Sequence, residues 1–264
     1  VPDDAKGLAV VPSRYTATEV RFGSAQDGWL FGDGLWSTHD GGHSWSRVST
    51  PGMVTRLAAA AGTAWALVPT GDGENTQQLW RSAVGTDAWS RVPGVSVTGP
   101  GDLAVQGDRV VVVGTGSSPV WVGGPDGFAS HDGPCADSLQ ADLSAVSSFW
   151  VKCVTGTLSR LAVSPDGSSW TDVPLKSDNG AVPNSAALGA RTDREALVGQ
   201  GVDPVLTRVS TDGTLTPLPD LPARDGATAE YVGFTTPDVG YMILVSGLYR
   251  TDDGGNTWRK LAIG

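Results

Sequence analysis

The chain has 264 residues, of which 36 are glycine, and carries a formal net charge of −10 at pH 7. This charge repels a phosphate backbone, and no cluster of Lys and Arg offsets it, so we expect no nucleic-acid partner. No apolar run approaches the roughly 20 residues that a membrane-spanning helix needs, so we expect no transmembrane segment. Many short apolar segments separated by Gly, Pro, Asp and Ser predict an all-β chain with tight turns.

A lead-in segment, residues 1–17, precedes the first predicted strand. The chain starts at Val1, without an initiator Met or the apolar core of a signal peptide, and we expect that a leader has been removed. Within the lead-in, Leu8–Val11 could add an edge strand to a terminal unit and mask exposed backbone.

A repeated segment starts in the first unit and returns at the end of the chain. Residues 34–45 read GLWSTHDGGHSW, and residues 247–258 read GLYRTDDGGNTW. Glycine adopts backbone angles that other residues resist, and Asp accepts hydrogen bonds from turn amides. The segment therefore predicts a tight turn between two strands, closed by a Trp that packs beside a neighbouring repeat.

Weaker copies of the turn lie between these two segments. Residues 82–89 keep the first hydroxyl and the Trp but lose the Asp, whereas residues 125–128 keep only the turn and an aromatic residue. Residues 164–170 are nearly complete, and residues 210–215 replace the Trp with Leu.

The six copies recur at a regular interval. Their closing apolar residues are at positions 45, 89, 128, 170, 215 and 258. This spacing is that of one four-stranded propeller blade, about 40–45 residues, and such a blade needs neighbours to bury its faces. We therefore predict a six-bladed β-propeller of four-stranded antiparallel blades. The single propeller domain spans residues 18–264, with blades at approximately 18–51, 52–94, 95–134, 135–176, 177–220 and 221–264.

Segments 38–45 and 251–258 are similar to the Asp-box, or BNR, repeat. Sialidases, sortilin-type receptors, xyloglucanases and the photosystem II assembly and stability factor family share this repeat, and the compact chain most resembles the last group. The resemblance implies the propeller fold but not a function, because the repeat occurs in enzymes and in non-enzymes. The residues that it assigns to structural Asp-box positions are Thr38, Asp40, Gly42, Trp45, Asp166, Trp170, Asp212, Asp253, Gly255 and Trp258.

In Asp-box propellers the boxes lie on one face, and ligands usually bind from the other. Seven residues near the starts of the predicted inner strands are candidates for ligand binding at that channel face: Glu19, Arg21, Arg56, Asp102, Asp142, Glu230 and Tyr231. Two interpretations stay open for them, namely solvated or mutually paired charges around the channel, or a polar ligand pocket at its mouth.

A sialidase-like glycoside hydrolase is an alternative. That chemistry needs three arginines around a carboxylate, an Asp acid, and a Tyr nucleophile activated by Glu. The residues that it could use are Arg21, Arg191, Arg194, Arg224, Tyr15 and Tyr231. Only Arg21 is suggestively placed, and none lies in a recognisable motif, so we assign no catalytic residue. A lectin-like carbohydrate binder is a further alternative.

Cys135 and Cys153 are the only cysteines. They could form a disulfide in a secreted protein or remain two buried thiols; we favour the disulfide, which would be worth about 3 kcal/mol. The three histidines, His39, His43 and His131, are interpreted as surface turn residues rather than metal ligands.

The expected function is a binding or scaffolding one. No nucleotide-binding motif or nucleophile elbow is present, so we predict no cofactor and no metal. We expect a monomer that is secreted or associated with the cell envelope and that binds a protein or a glycan or other polymer.

Overall fold

A computed structural model describes residues 17–32, 34–49, 53–71, 75–177, 179–183, 187–199, 206–218, 229–244 and 246–261. These residues form 25 β-strands and no helix, hence none long and apolar enough to cross a membrane. The strands make six antiparallel sheets arranged as the blades of a propeller, which confirms the predicted fold class.

The first three blades each contain four strands in chain order along the sheet. Blade 1 consists of β1 (Ala17–Phe22), β2 (Gly28–Gly32), β3 (Leu35–Thr38) and β4 (Ser46–Arg47). Blade 2 consists of β5 (Arg56–Ala60), β6 (Thr63–Pro69), β7 (Thr76–Ala83) and β8 (Ser90–Thr98). Blade 3 consists of β9 (Asp102–Gln106), β10 (Arg109–Val113), β11 (Val120–Gly124) and β12 (Gly127–His131).

The last three blades follow the same order, and blade 4 gains a short fifth strand that pairs with its third. Blade 4 consists of β13 (Gln140–Ala145), β14 (Phe149–Val154), β15 (Leu158–Ser164), β16 (Thr171–Asp172) and β17 (Val182–Pro183). Blade 5 consists of β18 (Ala187–Ala190), β19 (Glu195–Gly199), β20 (Leu206–Ser210) and β21 (Leu215–Pro217). Blade 6 consists of β22 (Ala229–Phe234), β23 (Gly240–Leu244), β24 (Gly247–Thr251) and β25 (Arg259–Lys260).

The first strand of each blade is the innermost one. First strands of successive blades contact one another around the ring, from β1 and β5 to β18 and β22. Side chains alternate between the two faces of a strand, so each sheet presents one apolar face to the preceding blade and one to the following blade. The core is consequently divided into slabs between blades.

The described residues form five such slabs of buried apolar side chains. They lie between blades 1 and 2, 2 and 3, 3 and 4, 4 and 5, and 5 and 6. In blades 2 to 6, the residue that closes the turn between the third and the outer strand packs against the preceding blade. These residues are Trp89, Phe128, Trp170, Leu215 and Trp258.

The turn between β3 and β4 shows why the repeated pattern folds. The Asp40 carboxylate accepts hydrogen bonds from the Thr38 hydroxyl (2.7 Å) and from the amide (2.9 Å) and hydroxyl (2.6 Å) of Ser44. Trp45 Nε1 donates to the carbonyl of Gly42 at 3.1 Å. Gly42 has a φ of +93°, a conformation that a side chain would strain. Blade 6 repeats this arrangement around Asp253.

A disulfide joins Cys135 and Cys153, as predicted, with a Cα–Cα distance of 5.2 Å. Both residues are fully buried in the slab between blades 3 and 4. The bond links the connection between these blades to the second strand of blade 4.

Some predictions are not tested by these observations. The proposed edge strand Leu8–Val11 lies outside the described residues, and the approximate blade limits stay a prediction.

Candidate functional site

Arg21 is the centre of a cluster on the inner strands of blades 1 and 6. Its Nη2 is 2.8 Å from Glu19 Oε2, and Nη1 donates to the carbonyl of Val20 at 2.9 Å. The guanidinium carbon lies 5.9 Å from the ring centres of both Phe31 and Tyr231. Arg21 thus spans the junction between the first and the last blade, within the distance of a cation–π contact.

Backbone irregularities accompany this cluster. The register of β1 against β2 shifts between Ala17 and Glu19, and that of β22 against β23 shifts between Ala229 and Tyr231. Bulges of this kind re-aim side chains and are frequent next to binding sites. The two irregularities lie on the inner strands of blades 1 and 6, next to Glu19 and Tyr231.

The cluster is chemically able to bind a polar ligand. The side chains of Arg21 and Glu19 are 38% and 32% exposed, and Glu230 and Tyr231 are exposed as well. Guanidinium donors, carboxylate acceptors and an open aromatic face together suit an extended chain with both polar and apolar groups. We name Glu19, Arg21 and Tyr231 the Arg21 cluster; Glu230 is the chain neighbour of Tyr231.

The remaining inner-strand candidates pair with one another or with nearby residues. The carboxylate of Asp102 in blade 3 accepts hydrogen bonds from the amides of Leu103 and of Leu143 in blade 4, both at 2.8 Å. Its Oδ1 also lies 3.3 Å from Nε of Arg56 in blade 2. Burial raises the pKa of the Asp102 carboxyl to about 6, although Arg56 opposes the shift. Asp142 lies 2.8 Å from Lys152 Nζ. Asp102 therefore ties three blades together at the inner edge.

The arginines considered for sialidase chemistry are placed elsewhere. Arg191 pairs with Glu195 and donates to the Pro237 carbonyl at 2.8 Å. Arg194 is 84% exposed in the turn after β18, and Arg224 and Tyr15 lie outside the described residues. Of the described arginines, Arg21 is the one that contacts the Tyr231 ring.

His39 takes part in a connection that sequence reasoning missed. Its Nδ1 is 2.8 Å from Asp27 Oδ1 in blade 1, and its Nε2 is 3.0 Å from Asp87 Oδ2 in blade 2. Asp87 also accepts hydrogen bonds from Trp29 Nε1 (3.3 Å) and from the Ser37 hydroxyl. Hydrogen bonds to Asp27 and then to Asp87 raise the pKa of His39. No local signal relates residues 27, 39 and 87.

An open polar cleft of about 710 Å³ lies between blades 3 and 4 and was not predicted either. Its lining includes His131, Trp170 and Arg160. Arg160 Nη1 is 2.6 Å from Asp172 Oδ1, so its charge is already neutralised. The lining also includes serine hydroxyl groups and the carboxylate of Asp132.

The chain is a six-bladed β-propeller, and its Arg21 cluster lies where the inner strands of the first and last blades meet. No family model matches the sequence, and no curated protein is significantly similar to it.

Solved structures resemble it in fold. YCF48 bound to D1 peptide is 16% identical, with a TM-score of 0.60 over 92% of this chain and 81% of that chain. YCF48 from Cyanidioschyzon merolae is 18% identical, with a TM-score of 0.63 over 95% and 86%. A streptogramin B lyase is 13% identical, with a TM-score of 0.65 over 98% and 86%.

Proposed function

We propose that this chain is an extracytoplasmic Asp-box propeller that serves as a binding scaffold for a protein or polymer partner. The observation that carries the proposal is the Arg21 cluster, in which the half-exposed pair of Arg21 and Glu19 lies beside the exposed ring of Tyr231. An exposed guanidinium that stacks on an aromatic ring is typical of a recognition site, and Arg and Tyr are enriched where binding energy concentrates.

The assignment to the Asp-box class rests on the turns. In blades 1, 4 and 6 the Asp carboxylate accepts the amide of a following Ser or Thr, and the Trp indole donates to a turn carbonyl. The Asp residues therefore have a structural role in the turn, and a ligand is expected on the opposite face.

The extracytoplasmic location is supported by the disulfide between Cys135 and Cys153, because such bonds persist mainly in oxidising compartments. A protein partner is supported by the likeness in fold to YCF48 in its complex with D1 peptide. A sialidase-like hydrolase has less support, because the described arginines do not converge on Tyr231. A lectin stays the alternative, since Tyr231 is an exposed aromatic residue.

The test is selection of a random peptide library on the immobilised protein, followed by affinity measurement of the enriched peptides. We expect Arg21→Gln and Tyr231→Ala to weaken binding on the order of tenfold each, which is about 1.4 kcal/mol. Arg194→Gln, which changes an exposed arginine in the turn after β18, is the matched control and should bind as the wild type does.

Failure of the library to enrich any peptide, or equal effects of Arg21→Gln and Arg194→Gln, would contradict the proposal. A glycan array and a fluorogenic sialoside are assayed in parallel. Arg21-dependent glycan binding would favour the lectin alternative, and hydrolysis would favour the sialidase-like one.

A further inference from the structure

The outer rim of the junction between blades 3 and 4 holds an open cleft of about 710 Å³. Its lining comes from the end of β12 and the connection after it (residues 130–134), from Arg160 on β15, and from blade 4's turn and outer strand (residues 168–170 and 172). The strands β12 and β16 are the outermost ones of their sheets, so we call this space the rim cleft. Small-molecule sites have volumes of about 300–1,000 Å³, and the rim cleft is in this range.

Three contacts hold the connection that forms one wall of the rim cleft. The disulfide of Cys135 ties it to β14. Arg160 Nη2 donates a hydrogen bond to the carbonyl of Pro134. Gly133 packs so closely that a Cβ at this position would lie 2.8 Å from the carbonyl oxygen of Ser118. A wall that is fixed before binding loses little conformational entropy when a ligand arrives, so the rim cleft is preorganised.

Polar side chains of the rim cleft have hydrogen-bonding capacity that the fold does not use. Among the residues that the structure describes, the side chains of His131 and Asp132 have no hydrogen bond or ion pair. His131 is half-buried, and polar groups withdrawn from water usually have a partner. On the blade 4 side, the exposed hydroxyl of Ser169 has no partner within the described part of the chain either. A ligand could use these donors and acceptors.

The charges of the lining restrict the ligand. The carboxylates of Asp132 and Asp172 outnumber the one guanidinium, that of Arg160, so an anion is disfavoured. Arg160 pairs with Asp172 at 2.6 Å, but a guanidinium has five N–H donors, so donors remain that an ammonium ligand could not use. No three His, Cys, Asp or Glu side chains of the described residues are grouped as a metal ion requires. A neutral ligand with both donors and acceptors fits these constraints.

A sugar ring has these properties. Each of its hydroxyl groups both donates and accepts hydrogen bonds, and its C–H groups form an apolar surface. The half-buried Trp170 lines the rim cleft with a large amphipathic ring. Its Nε1 donates to the carbonyl of Gly167 at 3.0 Å, which fixes the orientation of the indole.

We propose that the rim cleft binds a neutral sugar unit whose ring packs against Trp170. His131, Asp132 and Arg160 form hydrogen bonds with the hydroxyl groups of the sugar. This inference is independent of the proposed function, because the Arg21 cluster lies on the inner strands of blades 1 and 6 and the rim cleft on the outer rim of blades 3 and 4.

A glycan array probed with the full chain tests the proposal, followed by calorimetric titration with the bound oligosaccharides and with their terminal monosaccharides. We expect neutral glycans to bind. Asp132→Ala should weaken binding about tenfold, because a hydrogen bond to a charged group is lost. Asp137→Ala removes an exposed carboxylate of the same connection, outside the cleft lining, and should bind as the wild type does. Binding of the free monosaccharide would show a single-sugar site, and binding of the oligosaccharide alone a site for part of a glycan chain; both support the proposal.

The variants also separate this inference from the proposed function. Arg21→Gln should keep its glycan binding even where it loses peptide binding. Loss of glycan binding in Arg21→Gln but not in Asp132→Ala would place the sugar at the Arg21 cluster and would overturn the inference. A failure of all neutral glycans to bind, or equal binding by Asp132→Ala and Asp137→Ala, would overturn it as well.

Chemical modification of histidine provides a second readout that needs no variant. A bound glycan that covers the cleft should slow the reaction of His131 with diethyl pyrocarbonate about threefold, because a ligand in such a site shields its lining from solvent. His43, exposed in the turn of blade 1, is the internal reference and should react at an unchanged rate. An unchanged rate at His131 in the presence of a saturating glycan would show that the sugar lies elsewhere and would overturn the proposal.

Discussion

Blades 1 and 6 are built from nearly the same repeat, yet the same face is buried in one and half-exposed in the other. Phe22 contacts Trp45 edge to face at 6.2 Å between ring centres, and Phe234 contacts Trp258 in the same way at 6.4 Å. Blade 5 buries the second pair, and blade 6 leaves the first open. The repeat determines which side chains point to a neighbour, and the neighbour determines whether they are buried.

The two blades should differ most in how much stability is lost when the ring of Phe22 or of Phe234 is removed. Phe234→Ala should lower the free energy of unfolding by about 3–5 kcal/mol, the usual cost for a buried aromatic. Phe22→Ala should cost about half as much, because less of its surface leaves water on folding. Urea unfolding followed by tryptophan fluorescence measures both. Equal losses would show that the junction of blades 6 and 1 is packed as tightly as the junction of blades 5 and 6.

The disulfide stabilises the side of the ring opposite the junction of blades 6 and 1. Replacing both Cys135 and Cys153 with Ala should lower the free energy of unfolding by about 3 kcal/mol, mainly by releasing the unfolded chain from a closed loop. Chemical reduction of the wild type provides the matched measurement. Two free thiols in the native, non-reduced protein would contradict the bond itself.

The Asp-containing turn of blade 1 should make a smaller contribution to the free energy of unfolding, and this contribution should be lost in acid. Hydrogen bonds from the Ser44 hydroxyl and amide and from Thr38 hold the pKa of Asp40 well below its usual range. A lowered folded pKa means that this stabilisation is present above the unfolded value, about 3.9, and is lost as the pH falls through the folded pKa.

Asp40→Asn should therefore lower the melting temperature at pH 7 and flatten its fall below about pH 4. Asp193→Asn, at an exposed turn position, is the control and should leave both unchanged. An unaltered acid profile in Asp40→Asn would show that the turn carboxylate contributes nothing.

The smallest effect is expected at the polar link between blades 1 and 2. The hydrogen bonds to Asp27 and Asp87 raise the pKa of His39, so the protonated ring stabilises the fold. This contribution is fully present below the unfolded pKa of about 6.5 and is lost as the pH rises through the folded value. The difference in melting temperature between wild type and His39→Gln should shrink from pH 5.5 to pH 9. A constant difference would mean that the charge on His39 is irrelevant.

Sequence reasoning found the repeat and missed the links between repeats. The spacing of the turn copies predicted six blades, because turn chemistry is local and its Gly, Asp and Trp stand within eight residues of one another. It did not predict the contact of His39 with Asp87, or the tie between Arg56, Asp102 and the Leu143 amide. Each of these joins positions about 40 or more residues apart.

The sequence by itself determined the all-β class, the number of blades and the Asp-containing turns, since periodicity carries that information without the third dimension. It favoured the disulfide, and the structure decided between the disulfide and two buried thiols. Only the tertiary structure decided which inner-strand charges are paired, where Arg21 meets Tyr231, and that the faces of blades 1 and 6 are left partly uncovered. The reason is that a blade's neighbours are set by closure of the ring, and closure brings together the two repeats that lie farthest apart in the chain.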